Sequence, residues 1–270
     1  MRKFLLICCV MLLAACATQQ KTSNDGSATD NSGSTRPEAD LPTQSGGARD
    51  KSRIHVELGN AYLEGARMGV ALEEAKTAIN YDRTYAPAQL LLGQIYANLE
   101  QYDLADPAFV EASRLAPGDP EINNSYGWYL CSRGREQEGL VRIQEAARNP
   151  YFQTPARAYA NAGLCYLHKK DDKSAEAEFA HAYQYDPSNK PVLYQLAAIA
   201  FRSGNYARAS ALLSTLQGLM PAPTPETLWL GLRIEHKLGN KDKETDYAFR
   251  LRRDFASSEE YQALLQGKYE

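Results

Sequence analysis

One pattern of small and large residues recurs six times along this chain, with a period of about 34 residues. The clearest copy reads Leu92-Gly93-x-x-Tyr96 and then Ala105-x-x-x-Phe109, and a proline follows it. A unit of this length makes a pair of helices that cannot bury its apolar face alone, so successive copies must stack on one another. The repeat therefore restricts the chain to an elongated, all-helical stack with an inner and an outer face.

This spacing is that of the tetratricopeptide repeat, in which two antiparallel helices form each unit. The copies stay in phase apart from a two-residue insertion between Asn149 and Pro155, and the second helix of the sixth copy is blurred around Tyr247. Prolines follow the second helices, where they end a helix cleanly. We predict an all-α tetratricopeptide-repeat solenoid of six helical hairpins over residues 51–270. The repeats are expected near residues 52–85, 86–119, 120–153, 156–189, 190–223 and 224–256.

The last residues predict one further helix. Ser257-x-x-Glu260 has the spacing of a capping box, and Tyr261, Leu264 and Leu265 supply apolar side chains after it. Terminal repeats need a cover for their exposed end. We therefore expect a C-terminal capping helix on the sixth hairpin.

Composition and motifs exclude several classes of function. A net charge of −3 argues against a general nucleic-acid-binding protein. The sequence has no His-Glu-x-x-His, no phosphate-binding glycine loop and no Gly-x-Ser-x-Gly. Its four histidines are scattered without metal-ligand spacing. We expect a non-enzymatic protein with no cofactor, no metal and no small-molecule substrate; an enzyme with an unrecognised site is the alternative.

The first residues have the pattern of a secretory signal. Arg2 and Lys3 form a short positive region, and Phe4–Leu13 is an apolar run too short for a spanning helix. The run ends in Leu13-Ala14-Ala15-Cys16, which resembles the lipobox of bacterial lipoproteins. That resemblance implies that residues 1–15 are a lipoprotein signal peptide and that the nucleophilic thiolate of Cys16 receives the lipid. An ordinary signal peptide with an incidental cysteine is the alternative.

The segment after the lipobox predicts a flexible tether and indicates the membrane to which the protein is sorted. Residues 16–50 are rich in Ser, Thr, Asp and Gly and contain a single leucine, so they cannot bury enough apolar surface to offset the entropy of ordering. We expect a lipidated flexible tether. By resemblance to the sorting of enteric lipoproteins, Ala17 rather than Asp after Cys16 favours the outer membrane, with the protein held by its lipid anchor on the periplasmic face.

Two cysteines, Cys131 and Cys165, fall within the predicted solenoid. They lie in the first helices of the third and fourth copies at nearly equivalent heights, and first helices of adjacent repeats lie side by side. A periplasmic location permits a disulfide between them. We predict this disulfide; two buried free thiols are the alternative, because cysteine is a common small core residue.

The first helix of each repeat lines the concave face of such a solenoid, and its groove-facing positions surround the Leu-Gly-x-x-Tyr core. Carboxamides recur there and both donate and accept hydrogen bonds, which suits a partner's backbone. Apolar side chains lie between them. The predicted partner-binding groove comprises Val56, Asn60, Leu63, Leu90, Gln94, Asn98, Asn124 and Trp128. Core packing is the alternative for Trp128. The later copies place Tyr194, Phe201, Arg202, Leu232, Glu235 and His236 at such positions.

Four segments outside the generic repeat consensus carry a more specific resemblance. They are Asn123–Cys131, Thr154–Cys165, Glu226–Glu235 and Leu251–Phe255. Together with the lipobox, they resemble the pilotins, tetratricopeptide-repeat lipoproteins of type IV pilus biogenesis of the PilF and PilW kind. The resemblance spans essentially the whole mature chain, and the family's two repeat cysteines fall on Cys131 and Cys165. The tether is longer than in that family.

This resemblance implies an outer-membrane lipoprotein that binds the type IV pilus secretin. Such a pilotin promotes outer-membrane localisation and multimerisation of the secretin, and thereby supports pilus assembly and twitching motility. The implied partner is a secretin subunit held in the groove. A periplasmic lipoprotein adaptor for peptidases or cell-wall enzymes is the alternative, because it would use the same architecture.

Overall fold

The computed structural model describes residues 45–269, with side chains from residue 47 onwards. This part of the chain contains thirteen α-helices and no strand, arranged as six antiparallel pairs and one short final helix. The predicted all-α solenoid is thereby confirmed. Residues 1–15, Cys16 and most of the predicted tether lie outside the described residues. The helices are α1 (Ser45–Glu64), α2 (Met68–Tyr81), α3 (Ala86–Asn98), α4 (Tyr102–Leu115), α5 (Pro120–Ser132), α6 (Glu136–Arg148), α7 (Pro155–His168), α8 (Asp172–Tyr185), α9 (Lys190–Arg202), α10 (Tyr206–Leu219), α11 (Pro225–Leu238), α12 (Lys241–Asp254) and α13 (Glu259–Leu265).

Helix α1 begins at Ser45, whereas the composition places the boundary of the tether after residue 50. The polar start of α1 is fastened to the region that follows α2. The guanidinium of Arg49 lies 3.4 Å from the Asp82 carboxylate and 5.4 Å from the centre of the Tyr85 ring. A boundary set by composition misses these contacts because they depend on the fold.

Within a pair, the first helix carries a notch that receives a large side chain of the second helix. A Cβ atom on Gly163 would lie 2.7 Å from the Phe179 ring, which is only 1% exposed. In the sixth pair, where the sequence pattern is blurred, a Cβ on Gly231 would lie 2.6 Å from the Tyr247 ring. Tyr247 therefore takes the place that phenylalanine occupies in the fourth pair.

Each pair turns at a residue with a left-handed backbone. The N–H group of the next residue then bonds to a carbonyl five residues earlier, as Gln101 does to Tyr96 at 2.9 Å. This is the Schellman arrangement, which satisfies the carbonyl groups at the end of a helix. The left-handed residues are Ala66, Glu100, Gly134, Lys170, Gly204 and Gly239.

Stacking of the pairs places the first helices on one face. Helix α1 contacts α3, α3 contacts α5, α5 contacts α7, and α9 contacts α11, whereas each second helix packs against the first helix of the following pair. Because most neighbouring first helices touch one another, we assign them to the inner, concave face of the stack. A binding groove is therefore built from odd-numbered helices.

The junction between the third and fourth pairs, which contains the insertion, is held by core packing and by a covalent bond. Phe152, within the insertion, is 8% exposed and packs with Ile143 and Ala158. The structure joins Cys131 of α5 to Cys165 of α7 in a disulfide, with Cα atoms 5.5 Å apart. Both cysteines are buried.

Helix α13 packs on α11 and α12. Its N-cap is Ser258, whose side chain accepts a hydrogen bond from the Tyr261 N–H at 3.2 Å, so the cap lies one residue later than the predicted Ser257. None of the helices between residues 45 and 269 combines the length and apolar composition that a bilayer span requires.

The notch predicts a clear difference between two glycines that both lie within helices. Gly163→Ala should lower the free energy of unfolding by about 1–3 kcal/mol, because its methyl group would overlap the buried Phe179 ring. Gly218→Ala in α10 is the matched control: no described atom lies within 4 Å of an added Cβ. It should be neutral or raise stability by up to about 1 kcal/mol. Chemical denaturation measures both; equal effects would contradict the notch.

Candidate protein-binding groove

A cleft of about 440 Å³ opens on the inner face between α1, α3 and α5. Three successive first helices supply its walls, because the repeat brings equivalent positions to the same side. Five residues of the predicted groove line this cleft: Asn60, Leu63, Gln94, Asn98 and Trp128. The structure thus brings together side chains that are up to two repeats apart in the sequence.

Three predicted groove residues do not face the cleft. Val56 and Leu90 are each 6% exposed and belong to hydrophobic clusters between helices. Asn124 is 1% exposed, and its side-chain oxygen accepts a hydrogen bond from the Asn161 Nδ2 atom at 3.0 Å. Neighbouring helices cover all three positions: Val56 packs against α2 and α3, Leu90 packs against α4 and α5, and Asn124 is bonded to α7. These three therefore contact neighbouring helices rather than a partner, and their assignment to the groove is wrong.

The base of the cleft is aromatic. Phe109 and Tyr129 are buried, and their rings stack with centroids 4.5 Å apart. Trp128 is half-buried beside them and lies 5.8 Å from the His168 ring of α7. Trp128 therefore serves both purposes: part of its side chain packs against the core, which was the alternative, and part of it lines the cleft. An apolar side chain entering the cleft would meet rings that are already fixed by the core.

The rim of the cleft is polar. Asn60 and Asn98 are exposed, and Gln94 donates from Nε2 to the Ser125 hydroxyl at 3.2 Å. The Asn98 side chain donates to the Gln94 backbone carbonyl at 2.8 Å, so hydrogen bonds link Asn98, Gln94 and Ser125. Carboxamides that both donate and accept hydrogen bonds can pair with peptide groups of an extended or helical segment.

Tyr129 is a lining residue that the sequence reasoning does not identify. Its hydroxyl has no hydrogen-bond partner among the described residues, and burial raises its pKa to about 12, with the nearby Asp106 carboxylate adding to the effect. The available signal is local, since Tyr126, Trp128 and Tyr129 form an unusually aromatic stretch of α5. Ser125, another lining residue, carries no such signal.

The side chains that line the cleft are suited to binding a polypeptide. Between residues 45 and 269, no group of three or more His, Cys, Asp or Glu side chains is placed to hold a metal ion. Two of the histidines are engaged by carboxylates: His55 with Glu74 at 2.6 Å and His236 with Glu244 at 2.9 Å. What the cleft offers is an aromatic base with amide groups around it, an arrangement suited to a polypeptide.

Comparisons with known proteins agree with this architecture. Models described as tetratricopeptide repeat match residues 86–119 and 166–225. The chain is 24% identical to the type IV pilus assembly protein PilF of Pseudomonas aeruginosa over 223 residues, which is 82% of this chain and 88% of that protein.

Two solved structures extend the comparison. One is PilW, described as a widely conserved type IV pilus biogenesis factor, with 29% identity, a TM-score of 0.73 and coverage of 79% of this chain and 98% of PilW. The other is Pseudomonas aeruginosa PilF, with 22% identity, a TM-score of 0.74 and coverage of 82% and 99%. The resemblance inferred from the sequence is confirmed: the chain is homologous to PilF and has the fold of PilW.

The buried Tyr129 predicts a loss of stability at alkaline pH. A phenol with a pKa near 10 in the unfolded chain and about 12 in the fold ionises first when unfolded. Its contribution is therefore intact below pH 10 and falls as pH rises from 10 to 12, by up to about 2–3 kcal/mol.

The matched variant is Tyr129→Phe, which removes the ionisation and the unpaired hydroxyl but keeps the ring. We expect it to be at least as stable as the wild type at pH 7. Denaturant titrations at several pH values measure the difference between the two proteins. A constant difference from pH 8 to 12 would show that Tyr129 does not titrate in this way.

Proposed function

We propose that this chain, a tetratricopeptide-repeat protein homologous to PilF, acts in type IV pilus biogenesis as an outer-membrane pilotin. In this role it binds a secretin subunit and promotes the localisation and multimerisation of the secretin. The observation that carries the proposal is similarity to PilF over most of both chains. The concave cleft on the first three pairs supplies a place for the subunit.

The cleft supports this role through its chemistry. A secretin segment that laid an apolar side chain on the Phe109 and Tyr129 rings would bring its peptide groups beside Asn60, Gln94 and Asn98. Central aromatic contacts surrounded by polar groups are typical of the residues that dominate protein–protein binding. Binding energy would then come from the base, and orientation from the rim.

The membrane localisation in this proposal is inferred from the sequence. Cys16, the expected lipidation site, lies outside the described residues, and the first described helix begins at Ser45. The intervening residues have the composition of a tether. A lipid at Cys16 would hold the protein at the membrane, while the tether would allow the cleft to meet secretin subunits in the periplasm.

A charge placed in the cleft tests secretin binding. Leu63→Glu should leave the fold intact, because Leu63 is only half-buried, but weaken secretin binding at least about tenfold by placing a carboxylate against an apolar surface. Val110→Glu, at a 53% exposed position on α4 away from the cleft, is the matched control. Pull-down from solubilised membranes and the amount of heat-resistant secretin multimer measure the effect.

The same experiment separates the alternatives. If folded Leu63→Glu protein supported normal secretin assembly, the cleft would not be the binding site. If the wild type captured peptidases or cell-wall hydrolases and no secretin, the adaptor role would replace the pilotin role.

Lipidation has its own test. Cys16→Ser should abolish incorporation of labelled palmitate and move the protein from the outer-membrane fraction to the soluble periplasmic fraction, because the thiol that receives the lipid is lost. Metabolic labelling followed by membrane fractionation measures both. Palmitate incorporation that persisted in Cys16→Ser would exclude this cysteine as the anchor.

A further inference from the structure

The inner face of the last pair is occupied by the chain's own final described residue. Trp229, Arg233 and His236 lie about one helical turn apart on α11 and form one stripe, which we name the C-terminal cradle. The Tyr269 ring stacks on the His236 ring with centroids 4.5 Å apart and planes 16° apart. It also lies 6.0 Å from the Trp229 ring.

The cradle holds the backbone as well as the ring. Arg233 donates a hydrogen bond from Nε to the Tyr269 carbonyl at 3.3 Å. Its guanidinium is itself seated over the Phe201 ring, 4.5 Å from the ring centre. Burial lowers the pKa of Arg233, yet a guanidinium stays protonated in proteins and remains a donor. The donor is therefore fixed in position before any peptide arrives.

The tail reaches the cradle through a short turn and not through a repeat. Helix α13 ends at Leu265, Gly267 adopts a left-handed backbone, and the Lys268 N–H bonds to the Ala263 carbonyl at 3.0 Å. Tyr269 follows this turn as part of a non-helical segment. The cradle thus holds a single aromatic residue in a peptide-like segment.

An apolar pocket lies close to the cradle. It has a volume of about 390 Å³ and lies between α9, α10 and α11, with Pro191, Tyr194, Leu216 and Met220 among its lining residues. Tyr194, Leu216 and Met220 belong to the same hydrophobic cluster as Phe201, the ring over which Arg233 is seated, so the pocket and the cradle are neighbours. A segment with an aromatic residue in the cradle has an apolar pocket nearby for a second side chain.

We propose that the C-terminal cradle is a second peptide-binding site, which Tyr269 occupies until an aromatic residue in a non-helical segment of a partner protein replaces it. Recognition uses two features that such a segment provides: an aromatic ring that stacks on His236 and beside Trp229, and a backbone carbonyl that accepts from Arg233. The tail competes as an internal ligand, whose effective concentration can reach the millimolar range. This site is separate from the cleft assigned to the secretin.

The test uses the tail as its own probe. A fluorescent peptide with the sequence of residues 263–270 is titrated against the full chain and followed by fluorescence anisotropy. Tyr269→Ala should bind the peptide at least tenfold more tightly than the wild type, because the internal competitor is removed. Tyr269→Phe keeps the ring and should match the wild type. Tyr151→Ala, which removes an 82% exposed tyrosine, should also match it.

Further variants make the proposal falsifiable. Adding Arg233→Ala or His236→Ala to Tyr269→Ala should remove the gain in affinity, and a peptide with alanine in place of its tyrosine should not bind. Two independent cradle substitutions guard against a variant that fails to fold, which circular dichroism would reveal. Equal peptide affinity for wild type and Tyr269→Ala would overturn the proposal. So would tight binding that both folded cradle variants retain. Neither result bears on secretin binding.

Discussion

The close crossing of the two helices within each pair is the contact on which the rest of the structure depends. In the third pair both helices contribute a glycine to this crossing. A Cβ on Gly127 would lie 2.7 Å from the Gly139 carbonyl, and a Cβ on Gly139 would lie 2.4 Å from the Gly127 carbonyl. Side chains of ordinary size would push these helices apart. Since each pair is also the surface on which the next pair stacks, a wider crossing would propagate along the solenoid.

The groove follows from this regularity. Leu63, Gln94 and Trp128 lie on three different helices and share one cleft because consecutive repeats present equivalent positions at similar heights. The aromatic base of the cleft belongs to the hydrophobic core, so the binding surface is held by the same packing that holds the fold. A partner therefore meets a preformed surface, and this reduces the loss of conformational entropy that accompanies binding.

Much of the fold could be predicted because the residues that determine it recur at a regular spacing along the sequence. Six recurrences of small and large residues determine where helices begin, cross and end, and even the substitution of Tyr247 for a phenylalanine leaves the repeat recognisable. The burial of individual side chains is a finer property. Val56, Leu90 and Asn124 each lie one helical turn before a residue that lines the cleft, yet neighbouring helices cover them. The start of α1 and the seat of Tyr269 depend on contacts between distant residues, which no local pattern records.

The bond between Cys131 and Cys165 joins residues 34 positions apart, which is one repeat of chain. Because it links the first helix of the third pair directly to that of the fourth, it bypasses α6 and the inserted loop. A pulling force applied between the two ends of the solenoid would pass through the sulfur atoms and leave the intervening residues without load. Stretching from either end would therefore leave the segment between the two cysteines, with α6 and the inserted loop, unextended, whereas α8 and most of α5 lie outside this segment and would still bear the force.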